Sequence, residues 1–330
     1  MKKIRSEEPK KLKFAFYWAG SCGGCEIAVL DINEKILDVV TIAEVVFWPV
    51  AMDVKYKDVD AMPDKSIDVC FFNGSVRTEE QEHMAKLLRR KSKLLIAFGA
   101  CAHLGGVPGL ANISNKKEIF EKVYIRTPST KNPDITTPKT AVKVECGELT
   151  LPEFYDTVRT LDQTVEVDYY IPGCPPHPNL IVKAVEAIAK NELPAKGSVL
   201  APEKSVCDEC PREKKEKGIS KLYRVHEITP DPEKCFLEQG IICMGPATRG
   251  GCEARCINAN MPCTGCGGPC PNEIEQGASM ISALSSILGL DEEKGESYDA
   301  EKLINQIKDP LGTFYWYSLP AALIRRRIRK

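Results

Sequence analysis

Cysteine is the residue that most constrains this chain, which carries fifteen cysteines in 330 residues. The count is odd, so complete pairing into intramolecular disulfides is impossible. Residues 1–13 read MKKIRSEEPKKLK and lack the apolar stretch of a secretory signal. We therefore expect a cytoplasmic protein whose thiols stay reduced. Under those conditions dense cysteine favours metal binding over a disulfide scaffold.

The remaining composition is that of an ordinary globular protein. The chain is 43% hydrophobic and 28% charged, with a net charge of -1, which argues against disorder, collagen and a cationic nucleic-acid binder. No run approaches the ~18 apolar residues of a membrane span. Neither a P-loop nor a G-x-G-x-x-G pattern is present, so nucleotide binding is unsupported. The length suggests roughly two domains.

Strand and helix signals alternate over the first part of the chain. Short apolar runs predict strands at 13–18, 43–48, 67–72, 94–98 and 167–171. Helical periodicity predicts helices at 25–39, 78–91 and 180–189. Near-continuous apolar strands separated by helices predict an α/β fold with a doubly wound parallel sheet. Residues 107–152 lack this periodicity, and we expect a long excursion with short elements.

The sequence predicts two domains and a C-terminal extension. Residues 1–195 form the α/β domain, residues 196–285 an irregular domain rich in cysteine, and residues 286–330 the extension. The span 207–271 holds nine of the fifteen cysteines and has little helix or strand signal. Its apolar content is too low for a normal core, so we expect metal centres to supply the missing folding energy.

Four cysteines follow predicted strands of the α/β domain. They are Cys22, Cys25, Cys101 and Cys174. Open α/β sheets bind ligands beyond the carboxyl ends of their strands, and the glycines beside these cysteines permit close backbone approach. Four convergent thiolates suit zinc or an iron–sulfur cluster. A redox dithiol would use only Cys22 and Cys25 and leave the other two unexplained, so we favour the cluster.

The irregular domain carries the second dense set of cysteines. Its members are Cys207, Cys210, Cys235, Cys243, Cys252, Cys256, Cys263, Cys266 and Cys270. Nine thiols allow two four-ligand centres with one cysteine left over. Zinc ribbons are the alternative, but they would predict basic, aromatic nucleic-acid surfaces, and this segment is not strongly basic.

Four residues near these motifs have simpler interpretations. Cys70 lies inside a predicted strand, where we expect a small buried hydrophobe. Cys146 has no assignable role. His103 and His177 lie beside candidate ligands, and we favour structural hydrogen bonds for both over tuning of a cluster.

Three of the motifs resemble those of a known family, the small electron-transfer subunit of nickel–iron hydrogenases. GSCGGCE, GACAHLGG and IPGCPP are similar, in order, to the family's three proximal-cluster motifs. The resemblance covers about residues 12–275 and implies a flavodoxin-like first domain followed by an iron–sulfur domain. It also implies that Cys22, Cys25, Cys101 and Cys174 bind the [4Fe–4S] cluster nearest the active site.

The resemblance implies two more [4Fe–4S] clusters in the irregular domain. The distal ligands are implied to be Cys207, at the family's usual His position, with Cys210, Cys235 and Cys243. Seven residues separate the last two, where the family usually has five. The medial ligands are implied to be Cys252, Cys256, Cys263 and Cys266. Cys256 stands where many relatives have a proline and a [3Fe–4S] cluster, and Cys270 is the alternative for that position.

Longer stretches, GSCGGCEIAVLD and CFLEQGIICMGPATRGG, most resemble the coenzyme F-420-non-reducing, methyl-viologen-reducing branch found in methanogenic archaea. This implies a cytoplasmic subunit, without its own membrane span, that relays electrons from H2 oxidation through three [4Fe–4S] clusters. The catalytic metals are expected in a separate nickel–iron large subunit, because this chain lacks that subunit's paired C-x-x-C motifs. Further implied partners are a small [2Fe–2S] subunit and the heterodisulfide reductase flavoprotein, which bifurcates electrons in methanogenesis.

Two other interpretations stay open. One is a subunit of a coenzyme F-420-reducing hydrogenase or of another iron–sulfur oxidoreductase, such as quinone reductase. Quinone-reductase relatives have adjacent cysteines where this chain has C-G-G-C. The other is a zinc-binding interaction protein, which would be colourless, whereas iron–sulfur clusters give brown protein with broad absorption.

Overall fold

A computed structural model of the protein describes residues 11–215, 219, 221–288, 302 and 305–325. Its strands, in chain order, are β1 (Leu12–Trp18), β2 (Ala43–Phe47), β3 (Ile67–Asn73), β4 (Val76–Thr78), β5 (Ser92–Phe98), β6 (Ala141–Val144), β7 (Gly147–Thr150), β8 (Phe154–Arg159) and β9 (Tyr169–Ile171). Its α-helices are α1 (Gly24–Leu30), α2 (Ile36–Ile42), α3 (Tyr56–Ala61), α4 (Glu79–Lys91), α5 (Ala100–Leu104), α6 (Lys116–Glu121), α7 (Pro178–Lys190), α8 (Arg255–Asn258), α9 (Gln276–Ile287) and α10 (Pro310–Phe314).

Five strands form one parallel sheet in the order β2-β1-β3-β5-β9. Counted among themselves, these strands have the 2-1-3-4-5 order of a flavodoxin-like fold. The predicted doubly wound α/β architecture is confirmed. Because all five strands run the same way, every loop that leaves a carboxyl end emerges at the same edge of the sheet.

The sheet is buried on both faces, as its apolar strands require. Phe14 and Phe16 of β1 point to one side and pack with residues of α1 and α7. Tyr17 points to the other side and packs with Met84 and Leu88 of α4. Alternate residues of a strand point to opposite faces, which explains why β1 carries no polar residue between Phe14 and Trp18.

The helix predicted at 25–39 is interrupted in the structure. Helix α1 ends at Leu30, and α2 begins only at Ile36. Asn33 lies between them with φ 55, in the left-handed region that asparagine tolerates better than most residues. The apolar spacing continues across this break, so periodicity alone could not reveal it.

The excursion predicted at 107–152 is present and extends to residue 160, because it includes strand β8. It begins and ends beside α5, where the backbone N–H of Leu161 donates to the carbonyl of Ala102 at 2.9 Å. Strand β8 pairs with β4, while the β6–β7 hairpin is exposed at every position. Cys146 lies at the exposed turn of that hairpin.

The cysteine-rich region has its own apolar core, so the expectation that it lacks one is wrong. Phe236 is 1% exposed and Ile241 is 2% exposed. Met280 of α9 and Phe314 of α10 complete this cluster from later in the chain. The core therefore depends on residues that lie outside the span 207–271, which is why its own composition did not indicate one.

The C-terminal strap, residues Tyr315–Pro320, belongs to this same region. Leu319 is 2% exposed and packs in the second core. Of the predicted extension 286–330, residues 289–301, 303–304 and 326–330 lie outside the described part of the chain. Among the residues that are described, no helix is both long and apolar enough to cross a membrane.

Candidate metal centres

The first four candidate ligands lie beyond the carboxyl ends of three strands of the sheet, in the loops or in the helices that follow them. Cys22 and Cys25 come after β1, Cys101 after β5 and Cys174 after β9. These strands end at one edge of the sheet, so the chain brings together residues that are far apart in sequence. Cys25 and Cys101 are buried, whereas Cys22 and Cys174 are exposed. We call these four the proximal set.

The thiols of the proximal set act on one another electrostatically. Burial raises the pKa of Cys25, and the thiols of Cys101, Cys174 and Cys22 raise it further. Burial, followed by Cys174 and Cys22, raises the pKa of Cys101 to about 12. Four thiolates would therefore repel one another here unless a cation joined them. Iron supplies such positive charge and displaces the thiol protons on binding.

Glycines leave the space that these sulfur atoms occupy. A Cβ on Gly99 would lie 2.4 Å from the Sγ of Cys25. A Cβ on Gly106 would lie 2.4 Å from the Sγ of Cys101. Both glycines also have positive φ, 85° and 61°, which other residues rarely adopt. The glycines beside the cysteines are therefore required by the packing of sulfur as well as by the turns.

The distal set, Cys207, Cys210, Cys235 and Cys243, is also brought together. Burial raises the pKa of Cys207 to about 12; Lys214 lowers it, while the thiols of Cys243, Cys235 and Cys210 raise it. A Cβ on Gly245 would lie 3.2 Å from the Sγ of Cys207 and 3.6 Å from that of Cys243. The longer spacing between Cys235 and Cys243 does not separate them, because the helical turn Leu237–Gln239 returns the chain.

The medial set, Cys252, Cys256, Cys263 and Cys266, lines one cavity of about 180 Å³. Burial raises the pKa of Cys266 to about 12, and the thiols of Cys252, Cys174 and Cys256 also raise it. Cys270 is not among the residues that line this cavity. Its thiol donates to the carbonyl of Pro246 at 3.4 Å instead.

Two contacts join the three sets in series. The backbone of Cys174, from the proximal set, lies close enough to the Cys266 thiol of the medial set to lower its pKa, and both residues line the same cavity. The backbone N–H of Cys263, from the medial set, donates to the Sγ of Cys243 in the distal set at 3.3 Å. The medial set therefore lies between the other two.

The spacing of the thiols does not suit a single ion. Zinc holds sulfur at about 2.3 Å, which requires four sulfur atoms within roughly 4 Å of one another. In the part of the chain that the structure covers, no three His, Cys, Asp or Glu side chains are arranged to hold a metal ion. A polynuclear iron–sulfur cluster is larger and takes more widely spaced cysteines, so the donor sets fit it better than they fit zinc.

Comparison with known proteins shows which family this chain resembles. The family described as NADH ubiquinone oxidoreductase, 20 Kd subunit, matches residues 22–188, just over half of the chain. The iron–sulfur subunit of the F420-non-reducing hydrogenase of Archaeoglobus profundus is 46% identical over 97% of this chain and 99% of its own length. This chain belongs to the same family of hydrogenase iron–sulfur subunits.

Other relatives of the hydrogenase subunit are similar over almost their whole length. The corresponding F420-non-reducing hydrogenase subunit from Methanothermobacter thermautotrophicus is 38% identical over 97% of this chain and 98% of its own. The vhu counterpart from Methanocaldococcus jannaschii is 37% identical over 93% of this chain and 95% of its own. The family predicted from GSCGGCE and the related motifs is confirmed, and with it a role as an oxidoreductase subunit in a hydrogenase complex.

The hydrogenase subunit also has a buried polar network that the sequence did not indicate. Glu26 is 4% exposed and accepts hydrogen bonds from the Trp48 indole and the Asn73 amide. Ser21 donates to Asn73 at 2.6 Å. Burial raises the pKa of Glu26, although both hydrogen bonds lower it. Trp48 follows β2 and Asn73 ends β3, so both lie at carboxyl ends of parallel strands, as the cysteines do. The rule that ligands bind at this edge of the sheet could therefore have indicated them.

The residues predicted to have simpler roles are found as follows. Cys70 is fully buried in β3, as expected for a small hydrophobe. His177 accepts a hydrogen bond from the backbone N–H of Asn179 at 3.2 Å and caps α7, which is the structural role predicted. The ring of His103 packs against that of Tyr170, tilted by 37° with the centroids 4.6 Å apart, but its buried Nδ1 has no hydrogen-bond partner.

Proposed function

We propose that this subunit carries electrons from H2 oxidation through three [4Fe–4S] clusters, held by the proximal, medial and distal sets. The observation that carries the proposal is the serial order of the sets, in which Cys174 contacts Cys266 and Cys263 contacts Cys243. Electron transfer through the subunit needs such an order, because electrons move between centres that lie close together. Unconnected structural sites would not need it.

Each set would contribute four cysteine thiolates to its cluster. When bound, a cluster accepts and releases one electron at a time. The chain contributes the surroundings: burial excludes water, glycines leave room for sulfur, and backbone N–H groups donate to ligand sulfurs. These hydrogen bonds stabilise added negative charge and so help to set the reduction potentials.

We infer the direction of transfer from exposure at the proximal end. Cys22 and Cys174 of the proximal set are exposed. A hydrogenase small subunit works with a large subunit that holds the nickel–iron site, and we propose that this large subunit docks over these cysteines. Electrons would then enter at the proximal set and leave from the distal set, which holds no histidine.

The resemblance to methanogen enzymes extends the proposal to the acceptor. We propose that electrons pass to a small [2Fe–2S] subunit and then to the flavoprotein of heterodisulfide reductase. There, flavin-based bifurcation would divide them in methanogenesis. A cytoplasmic location fits these partners. This step rests on analogy with the family and not on a particular residue.

Anaerobic purification of the complex from its native cell tests the proposal. We expect brown protein with broad absorption, about twelve irons in each copy of this chain in addition to the iron of its partner subunits, and a nickel–iron large subunit among the co-purifying chains. A colourless chain that holds only zinc would exclude the clusters. An intact complex without a nickel–iron subunit would exclude electron transfer from H2.

A further inference from the structure

The C-terminal strap contacts the α/β domain near the proximal set. The backbone N–H of Gly106 donates to the carbonyl of Tyr317 at 2.9 Å. The side-chain amide of Gln163 donates to the carbonyl of Pro320 at 2.7 Å. Pro320 packs so closely against Gly105 that a Cβ on this glycine would lie 2.2 Å from the proline ring. These contacts attach the strap directly to the loop that follows Cys101.

The same strap contacts the cysteine-rich region on its other side. A hydrogen bond of 3.3 Å joins the hydroxyls of Tyr317 and Thr264. Thr264 lies between Cys263 and Cys266, two candidate ligands of the medial set. The ring of Tyr315 packs over Gly277, where a Cβ would lie 2.4 Å from the ring. One short segment therefore contacts the loops of two different candidate centres.

Tyr317 lies where these two centres meet. Its phenol interacts electrostatically with the thiols of Cys266 and Cys256, from the medial set, and with that of Cys174, from the proximal set. The neutral hydroxyl adds a dipole, while the ring fills space that water would otherwise enter.

We propose that Tyr317 is a positioning residue that fixes the medial ligand loop against the proximal site. This proposal rests on the proposed function, because the two sets need a fixed separation only if electrons pass between them. The strap adds a second connection between the two parts of the chain, beside the contact between Cys174 and Cys266. Loss of the side chain would let the loop at Thr264 shift relative to Cys174.

The test uses the intact hydrogenase complex with two variants and a matched control. Tyr317→Phe removes only the hydroxyl, and Tyr317→Ala removes the whole side chain. Tyr315→Phe makes the same change in the same strap, but the hydroxyl of Tyr315 bonds to Glu275 and not to the medial ligand loop. Electron paramagnetic resonance of the H2-reduced complex measures the magnetic interaction between neighbouring reduced clusters. Iron analysis measures cluster content.

We expect iron content to be unchanged in all three variants. The interaction between the proximal and medial clusters should weaken in Tyr317→Ala, weaken less in Tyr317→Phe, and stay unaltered in Tyr315→Phe. An unaltered spectrum in Tyr317→Phe and Tyr317→Ala would overturn the positioning role, and so would an equal change in Tyr315→Phe. If Tyr317→Ala fails to fold, the comparison of the two Phe variants decides. A wild-type complex without iron–sulfur signals would instead overturn the proposed function itself.

Discussion

The sheet region and the cysteine-rich region hold their cysteines by different physical means. In the α/β domain, the proximal set sits on loops whose ends are fixed by a five-stranded hydrogen-bonded sheet. In the cysteine-rich region, the described chain forms short helical turns and isolated bridges, such as Ser205 with Arg249 and Tyr223 with Ile241. The backbone of the sheet therefore preorganises the proximal site. The medial and distal sites depend more on the bound clusters for their structure.

This difference predicts which domain needs iron in order to fold. A sheet buried on both faces has enough apolar contact to persist without metal. The second core contains Phe236, Met280 and Phe314, but it is surrounded by irregular chain with few regular hydrogen bonds. There the free energy of metal binding is also free energy of folding.

Removal of iron should therefore have the largest effect on folding, and it should act mainly on the cysteine-rich region. We expect iron-free protein to become sensitive to protease within 205–285 while a fragment spanning about 11–190 stays resistant. Limited proteolysis followed by mass spectrometry, with the iron-loaded protein as the control, measures this. Equal loss of protection in both domains would show that the contrast between them is wrong.

Gly99→Ala should abolish the proximal cluster and leave the other two. The added Cβ would lie 2.4 Å from the Sγ of Cys25, in a sheet edge too rigid to give way. Gly197→Ala is the matched control, because Gly197 has a similar φ of 88° but nothing within 4 Å of the added atom. We expect the loss of about four irons in Gly99→Ala alone. Similar losses in both variants would attribute the effect to backbone strain rather than to the thiol.

Single substitutions should have a smaller effect and should show whether Cys256 or Cys270 is the fourth medial ligand. Cys256 lines the medial cavity and Cys270 does not, so we expect Cys256→Ser to lose one iron from the medial cluster. The resulting three-iron cluster has its own paramagnetic resonance signal in the oxidised protein. Cys270→Ser should keep all the iron. The reverse result would make Cys270 the fourth medial ligand.

The smallest effect concerns a buried ion network that involves no cluster. Asp168 lies 2.5 Å from Arg89, 2.6 Å from Lys196 and 2.8 Å from the backbone N–H of Leu95. Burial works to raise the pKa of Asp168, but these partners lower it below the usual value. We expect Asp168→Asn to destabilise the α/β domain by about 2 kcal/mol at neutral pH without loss of iron.

The sign of the pH dependence follows from the lowered pKa. The ionised form contributes stability above the unfolded value of about 3.9, and this contribution is lost as pH falls through the folded value. The difference between wild type and Asp168→Asn should therefore shrink in acid, as measured by thermal unfolding. Asp60→Asn, at an exposed pair with Arg90, should change stability by less than about 1 kcal/mol. A difference that persists in acid would contradict this account.

The sequence predicted those features that depend on local pattern. Apolar runs located the five strands of the sheet, and the rule for parallel sheets placed Cys22, Cys101 and Cys174 at one edge. The break in the helix at Asn33 was missed because the apolar spacing in the sequence continues across it. The second core and the contact between Tyr317 and Thr264 were missed because both join residues that are distant in sequence. Composition within a window cannot detect such pairings.

The position of the C-terminal strap has a consequence for biosynthesis. Ribosomes make a chain from its N-terminus, so every candidate ligand is synthesised before Tyr317. Until the strap is made, the hydrogen bond between Tyr317 and Thr264 cannot form, and the strap does not cover the medial ligand loop. We expect iron and sulfide to reach the medial ligand loop more easily before the strap docks than afterwards.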